Sequence, residues 1–120
     1  MAQIFRDDDH DTVIRKYAEL VEKNNPDQYV VKTSIAEKKP NLVGKIAPDI
    51  VLYSSSGDKI MTVIEVETDA SLGNDTAEKR WKPISEEAPA LQILVPKGAI
   101  SKTNRICKKY GIKARIQEFG

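Results

Sequence analysis

The sequence predicts a single α/β domain over residues 1–120, in which a mixed central sheet carries helices on both faces. Three observations support this fold class. Short apolar runs typical of strands alternate with amphipathic segments typical of helices. Two of the runs flank the turn Ser54-Ser55-Ser56-Gly57-Asp58, which predicts an antiparallel hairpin. A chain of 120 residues is long enough for one hydrophobic core and short for two ordinary domains.

The first half of the chain is expected to form one helix and three strands. The acidic triplet 7–9 supplies an N-cap for a helix that starts near His10. This helix ends at Asn24-Asn25-Pro26. Residues 29–35 alternate as a half-buried strand, 38–44 form a loop, and 49–53 and 60–66 form central strands covered on both faces.

The second half alternates helix and strand. A short helix over 75–82 is expected to end or kink at Pro83, and a buried strand follows at 91–95. Gly98 and Ser101 open a third helix that Gly111 caps, and 113–119 is an edge strand. The order of helix, three strands, helix, strand, helix, strand implies an antiparallel hairpin unit extended by one crossover strand, with helices on both faces.

Composition predicts a soluble, cytoplasmic protein. Cys107 is the lone cysteine and cannot form an intramolecular disulfide, which indicates a reducing compartment. The N-terminus lacks the charge pattern of a signal peptide, and the longest apolar run, 60–66, is too short to span a bilayer.

Charge is unevenly distributed although the net charge is only +1. Seven basic residues and no acidic ones lie between 97 and 115: Lys97, Lys102, Arg105, Lys108, Lys109, Lys113 and Arg115. On the third helix the basic residues lie opposite the apolar stripe. That face is either an ordinary solvated surface or a surface that contacts DNA.

The acidic residues Asp49, Glu65 and Glu67 form the main candidate site. Glu65 and Glu67 are two apart on a strand and share a face. If the hairpin turns about Gly57, Asp49 lies opposite Glu65. Two carboxylates about 4 Å apart repel by about 4 kcal/mol at an effective dielectric of 20, which a bound cation would offset. The alternative is a solvated strand end paired with surface lysines.

These residues resemble a known motif. Pro48-Asp49-Ile50-Val51-Leu52, a turn, and Val63-Ile64-Glu65-Val66-Glu67-Thr68 resemble the core of the PD-(D/E)XK phosphodiesterase superfamily, which includes restriction endonucleases and Holliday-junction resolvases. The resemblance implies a restriction-endonuclease-like αβββαβ core plus a C-terminal helix and strand. It also implies that Asp49, Glu65 and the backbone carbonyl of Val66 hold Mg²⁺ or Mn²⁺.

The chain departs from the family where a catalytic lysine is usual, because Glu67 occupies that position. Glu67 would then orient the attacking water or help to hold a second ion. Asp75-Thr76-Ala77-Glu78-Lys79 resembles an Asp-x-x-x-Lys pattern of one bacterial branch, in which the lysine has moved to the following helix. Lys79 is therefore the first candidate for the displaced lysine and Lys82 the second.

The first helix offers two further candidates, because members of the superfamily often place an acid there. His10 lies on the stripe that faces the sheet, and Glu19 lies on the solvated face. A structural or capping role for His10 is the alternative. Trp81 either stacks on a base or anchors its helix in the core.

The leading hypothesis is a Mg²⁺-dependent DNA endonuclease, with Asp49, Glu65 and Glu67 at the metal and Lys79 or Lys82 at the phosphate. Residues expected to contact DNA are Lys45, Arg80, Lys102, Arg105 and Lys109. A homodimer is left open, since many such domains pair around a twofold axis. The alternatives are an inactive nuclease-fold module that binds nucleic acid or a partner protein, and an unrelated α/β protein.

Overall fold

A computed structural model of the chain describes residues 10–35, 42–43 and 45–119. The predicted cap at 7–9 and most of the predicted loop at 38–44 lie outside these residues. The described elements, in chain order, are α1 (His10–Asn24), β1 (Val30–Thr33), β2 (Ile50–Tyr53), β3 (Ile60–Val66), α2 (Asn74–Thr76), a π-helical turn (Ala77–Trp81), α3 (Lys82–Glu87), β4 (Leu91–Pro96), α4 (Ile100–Tyr110) and β5 (Arg115–Phe119).

The five strands form one mixed sheet in the order β1-β2-β3-β4-β5. The pairs β1/β2 and β2/β3 are antiparallel, and β3/β4 and β4/β5 are parallel. Gly57 lies in the turn between β2 and β3 with φ of 81°, a backbone conformation that residues other than glycine rarely adopt. The predicted α/β class with a mixed sheet is confirmed, but two parallel strands, β4 and β5, extend the hairpin where one crossover strand was predicted.

Helices cover both faces of the sheet. On one face α1 packs through Val13, Ile14 and Ala18 against alternate residues of the central strands. On the other face lies a second cluster built from residues of 74–87, α4 and the sheet, in which Trp81 and Ile84 are fully buried. Cys107 packs in this second cluster.

Strand β3 directs its side chains alternately to these two clusters. Ile64 and Val66 belong to the cluster beneath α1, whereas Val63 belongs to the cluster beneath residues 74–87. By the same alternation, Glu65 and the residue that follows the strand, Glu67, face residues 74–87. The sheet therefore brings these two acids beneath the π-helical turn.

The helical segment 74–87 is longer than predicted, because it continues through Pro83. Proline lacks an N–H and its ring clashes with the carbonyl four residues earlier in a regular α-helix. The π-helical turn just before Pro83 widens the backbone there, which makes room for the ring of Pro83, the second residue of α3. No helix in the described ranges has the length and apolar character needed to cross a membrane.

Candidate functional site

Asp49 and Glu65 lie side by side at one end of the sheet. The register pairs Ile50 with Ile64, so the next residues outward are Asp49 and Glu65, as the turn position predicted. The Asp49 N–H donates to Glu65 Oε2 at 3.0 Å. Asp49 Oδ2 accepts from the Val66 N–H at 2.8 Å, so one carboxylate bridges the two strands.

All three predicted acids are buried. The exposed fraction is 6% for Asp49, 0% for Glu65 and 3% for Glu67. This burial excludes the alternative of a solvated strand end paired with surface lysines. Buried carboxylates must find hydrogen-bond donors or cations, so the partners of each acid define what the site can do.

Glu65 is held by Arg80, which lies in the π-helical turn. Arg80 Nε donates to Oε1 at 2.6 Å and Nη2 donates to Oε2 at 3.1 Å, which forms a two-point ion pair. Nη2 also donates to the Ala47 carbonyl at 2.9 Å. Burial and the neighbouring Asp49 raise the pKa of Glu65 to about 7, although Arg80 opposes this rise.

Glu67 is satisfied by a different pair of donors. The Ser71 hydroxyl donates to Oε1 at 2.7 Å and Trp81 Nε1 donates to Oε2 at 2.9 Å. Burial raises the pKa of Glu67, whereas these two hydrogen bonds lower it. Trp81 is therefore a core anchor with a polar contact, and its fully buried ring is not available for stacking on a base.

His10 reaches the site from the start of α1. Its Nε2 lies 3.0 Å from Asp49 Oδ2. The hydrogen bond to Asp49 raises the pKa of His10 to about 9, although partial burial lowers it. The predicted orientation of His10 toward the sheet is confirmed, and Glu19 is exposed on the opposite face of α1.

The structure does not bring the two candidate lysines to the acids. Lys79 Nζ pairs with Asp75 at 3.3 Å on an exposed surface, where the Lys79 side chain is 72% exposed. Lys82 is also exposed. The residue that reaches the acids is Arg80, which the sequence analysis had assigned to DNA contact. Its position three residues after the buried Ala77 was the available signal, since such residues share a helix face.

The predicted DNA-contacting residues other than Arg80 are exposed. Lys45 lies two residues before Ala47, whose carbonyl binds Arg80. On α4 the buried residues are Thr103, Ile106 and Cys107. Lys102, Arg105 and Lys109 are exposed, as predicted.

The donor chemistry of Asp49 and Glu65 fits a hard divalent cation. Mg²⁺ binds through one or two carboxylates together with water and substrate oxygens, so two adjacent acids suffice. In the described ranges, no three His, Cys, Asp or Glu side chains gather in a group that could hold a metal ion. Glu67, engaged by Ser71 and Trp81, is not needed for such a two-carboxylate site.

Comparison with protein-family models, with curated proteins and with solved structures gives no match to this chain. Its function must therefore be inferred from the geometry of the site.

Proposed function

We propose that the protein is a Mg²⁺- or Mn²⁺-dependent hydrolase of DNA phosphodiester bonds with a restriction-endonuclease-like core. One observation carries this proposal. Asp49 and Glu65 occupy adjacent positions of two strands, both buried, with Glu65 Oε2 in contact with the Asp49 backbone. The spacing and strand positions are those that the PD-(D/E)XK resemblance implies for two metal ligands.

The energetics of the acid pair favour a bound cation. The charge of Asp49 raises the pKa of Glu65, as expected for two neighbouring carboxylates that repel each other. Burial adds a desolvation cost, which is expressed in the raised pKa of Glu65. Among the described residues, two cationic side chains contact these acids, Arg80 at Glu65 and His10 at Asp49, whereas Glu67 is bonded by the neutral donors Ser71 and Trp81.

Each residue around the acid pair has a distinct role in this proposal. Asp49 and Glu65 would hold the ion, which would polarise the phosphate and lower the pKa of the attacking water. The Val66 N–H and His10 hold the Asp49 carboxylate in its orientation. Glu67 ties β3 to the helical segment 74–87 through Trp81.

Exposed basic residues near the C-terminal end of β4 and on α4 support the proposed contact with DNA. The Glu67 N–H donates to the Leu94 carbonyl, so the acids lie level with the C-terminal end of β4. Lys97 follows that end directly and Lys102 lies in the first turn of α4; both are exposed. Phosphate contacts from such residues position DNA and make its binding salt-dependent.

A second candidate function is an inactive module of this fold that binds nucleic acid or a partner protein. The observation that favours it is that the acids are already satisfied by protein donors. Arg80 and the Asp49 N–H engage both oxygens of Glu65, while Ser71 and Trp81 engage both oxygens of Glu67. The Glu67 carboxylate therefore needs no cation to satisfy its two oxygens.

A cleavage assay separates these two functions. Single-stranded, duplex and branched DNA are incubated with the parent protein in Mg²⁺, Mn²⁺ or chelator. We expect divalent-dependent cleavage that Asp49→Asn abolishes. Asp69→Asn is the matched control, because Asp69 is an exposed acid just beyond β3. Binding without cleavage of any substrate would favour the inactive module.

A further inference from the structure

We infer that Arg80 supplies the cationic group that contacts the phosphate at this site, the role for which the resemblance led to Lys79 or Lys82. This inference rests on the proposed hydrolase function and assigns a catalytic residue within it.

The Arg80 guanidinium donates hydrogen bonds from Nε and Nη2, which leaves Nη1 for a further acceptor. Nε and Nη2 donate to Glu65, and Nη2 also donates to the Ala47 carbonyl. These contacts use three of the five N–H groups of an arginine. Among the described residues, nothing accepts a hydrogen bond from the remaining two, on Nη1. The Arg80 side chain is 36% exposed above the fully buried Glu65.

Buried residues before and after Arg80 fix its position on the helical segment. Ala77, three residues earlier, and Trp81, the next residue, are completely buried. The Trp81 indole is tied to Glu67, which belongs to the same acid cluster. An arginine held in this way needs little reorganisation when an anion arrives, which is the condition under which a donor contributes most to catalysis.

The neighbouring cations do not meet this condition. Lys79 is paired with Asp75 in solvent, and Lys82 is exposed. Within the described part of the chain, Arg80 is the Lys or Arg side chain that forms an ion pair with the acids Asp49, Glu65 and Glu67. Arg80 is therefore the cationic side chain of the described residues that lies against the proposed metal ligand Glu65.

The test compares Arg80→Ala and Arg80→Lys with Lys79→Ala and Lys82→Ala as matched controls on the same helix. We expect kcat for divalent-dependent cleavage to fall roughly a hundredfold in Arg80→Ala, the scale of losing one preorganised donor. The kcat of Arg80→Lys should lie between those of Arg80→Ala and the parent, because an ammonium supplies the charge without the planar, two-point geometry of a guanidinium. Both controls should cleave like the parent.

Two further readouts separate a catalytic role from a merely structural one. Guanidinium ion added at millimolar concentration should partly restore cleavage by Arg80→Ala, whereas methylammonium should restore less. Thermal stabilisation by Mn²⁺, measured without DNA, should persist in Arg80→Ala because Asp49 and Glu65 remain. If Arg80→Ala does not fold, Arg80→Gln decides instead, since it keeps an N–H donor for Glu65 but loses the charge.

Parental kcat in Arg80→Ala or Arg80→Gln overturns the inference and leaves the proposed function standing. Loss of Mn²⁺ stabilisation in Arg80→Ala, together with no rescue by guanidinium, also overturns it, because Arg80 would then only hold Glu65. A parent that cleaves no DNA with either ion overturns the proposed function, and this inference with it.

Discussion

Replacing Arg80 with alanine should destabilise the protein, and by more at pH 8 than at pH 5. The substitution removes both contacts to Glu65 and the contact to the Ala47 carbonyl. It leaves a fully buried carboxylate with the Asp49 N–H as its remaining donor among the described residues. An unpaired buried charge is among the few features that make a single substitution costly.

The magnitude follows from burial and from the protonation of Glu65. Breaking a buried ion pair costs about 3–5 kcal/mol, and the partial exposure of Arg80 reduces this to about 2–4 kcal/mol at pH 8. The pKa of Glu65 is raised to about 7 from 4.5, so the folded state holds this proton more tightly than the unfolded chain. Stability from this group is therefore full below about pH 4.5 and is lost as the pH rises through 7.

Loss of Arg80 removes a cause that lowers the pKa of Glu65, so this pKa should rise above about 7 in the variant. At pH 5 Glu65 is then protonated with or without Arg80. The cost at that pH is limited to lost hydrogen bonds, about 1 kcal/mol. Urea unfolding of parent and variant at the two pH values measures the difference.

Lys79→Ala is the control, because it removes an exposed ion pair on the same helical segment and should cost about 0.5 kcal/mol or less. The reasoning is refuted if Arg80→Ala and Lys79→Ala cost the same at both pH values. It is also refuted if the cost of Arg80→Ala is larger at pH 5.

Three further substitutions test the rest of the cluster. The pKa of His10 is raised to about 9, so its contact with Asp49 stabilises fully below about pH 6.5 and is lost as the pH rises through 9. His10→Ala should thus cost about 1 kcal/mol at pH 6.5 and almost nothing at pH 10, measured by thermal unfolding; a constant cost would contradict this. Trp81→Phe keeps most of the packing but removes a donor to Glu67, and should cost about 1–3 kcal/mol in urea unfolding. Asp49→Asn relieves repulsion with Glu65 and keeps an oxygen for the Val66 N–H, so metal-free stability should change by less than about 1 kcal/mol while the Mn²⁺-induced rise in Tm disappears. If Mn²⁺ raises the Tm of Asp49→Asn as much as that of the parent, Asp49 is excluded as a ligand.

The sequence predicted the sheet and the acid pair well because local patterns determine both. Apolar runs and the Ser54–Asp58 turn fix the hairpin, and Gly57 marks its centre, so the pairing of Asp49 with Glu65 follows by counting. Helical spacing likewise placed α1 and its inward-facing His10. These features depend on residues close together in the chain.

The partners of the acids were harder to predict, because they depend on how a helix sits over the sheet. Arg80 reaches Glu65 across 15 positions of sequence, and Trp81 reaches Glu67 across 14. The π-helical turn changes the facing of these residues, and Pro83 suggested a helix end where the helix continues. Lys79 matched a sequence pattern, but its helix face points to solvent and to Asp75.

The central proposal, that Asp49 and Glu65 share a divalent cation, is tested most directly by a crystal structure of the protein soaked in Mn²⁺. We predict an anomalous difference peak in contact with a carboxylate oxygen of each residue, absent from crystals of Asp49→Asn. If the anomalous difference map shows no peak at this position and Arg80 is still bound to both oxygens of Glu65, the proposal of a shared cation is contradicted.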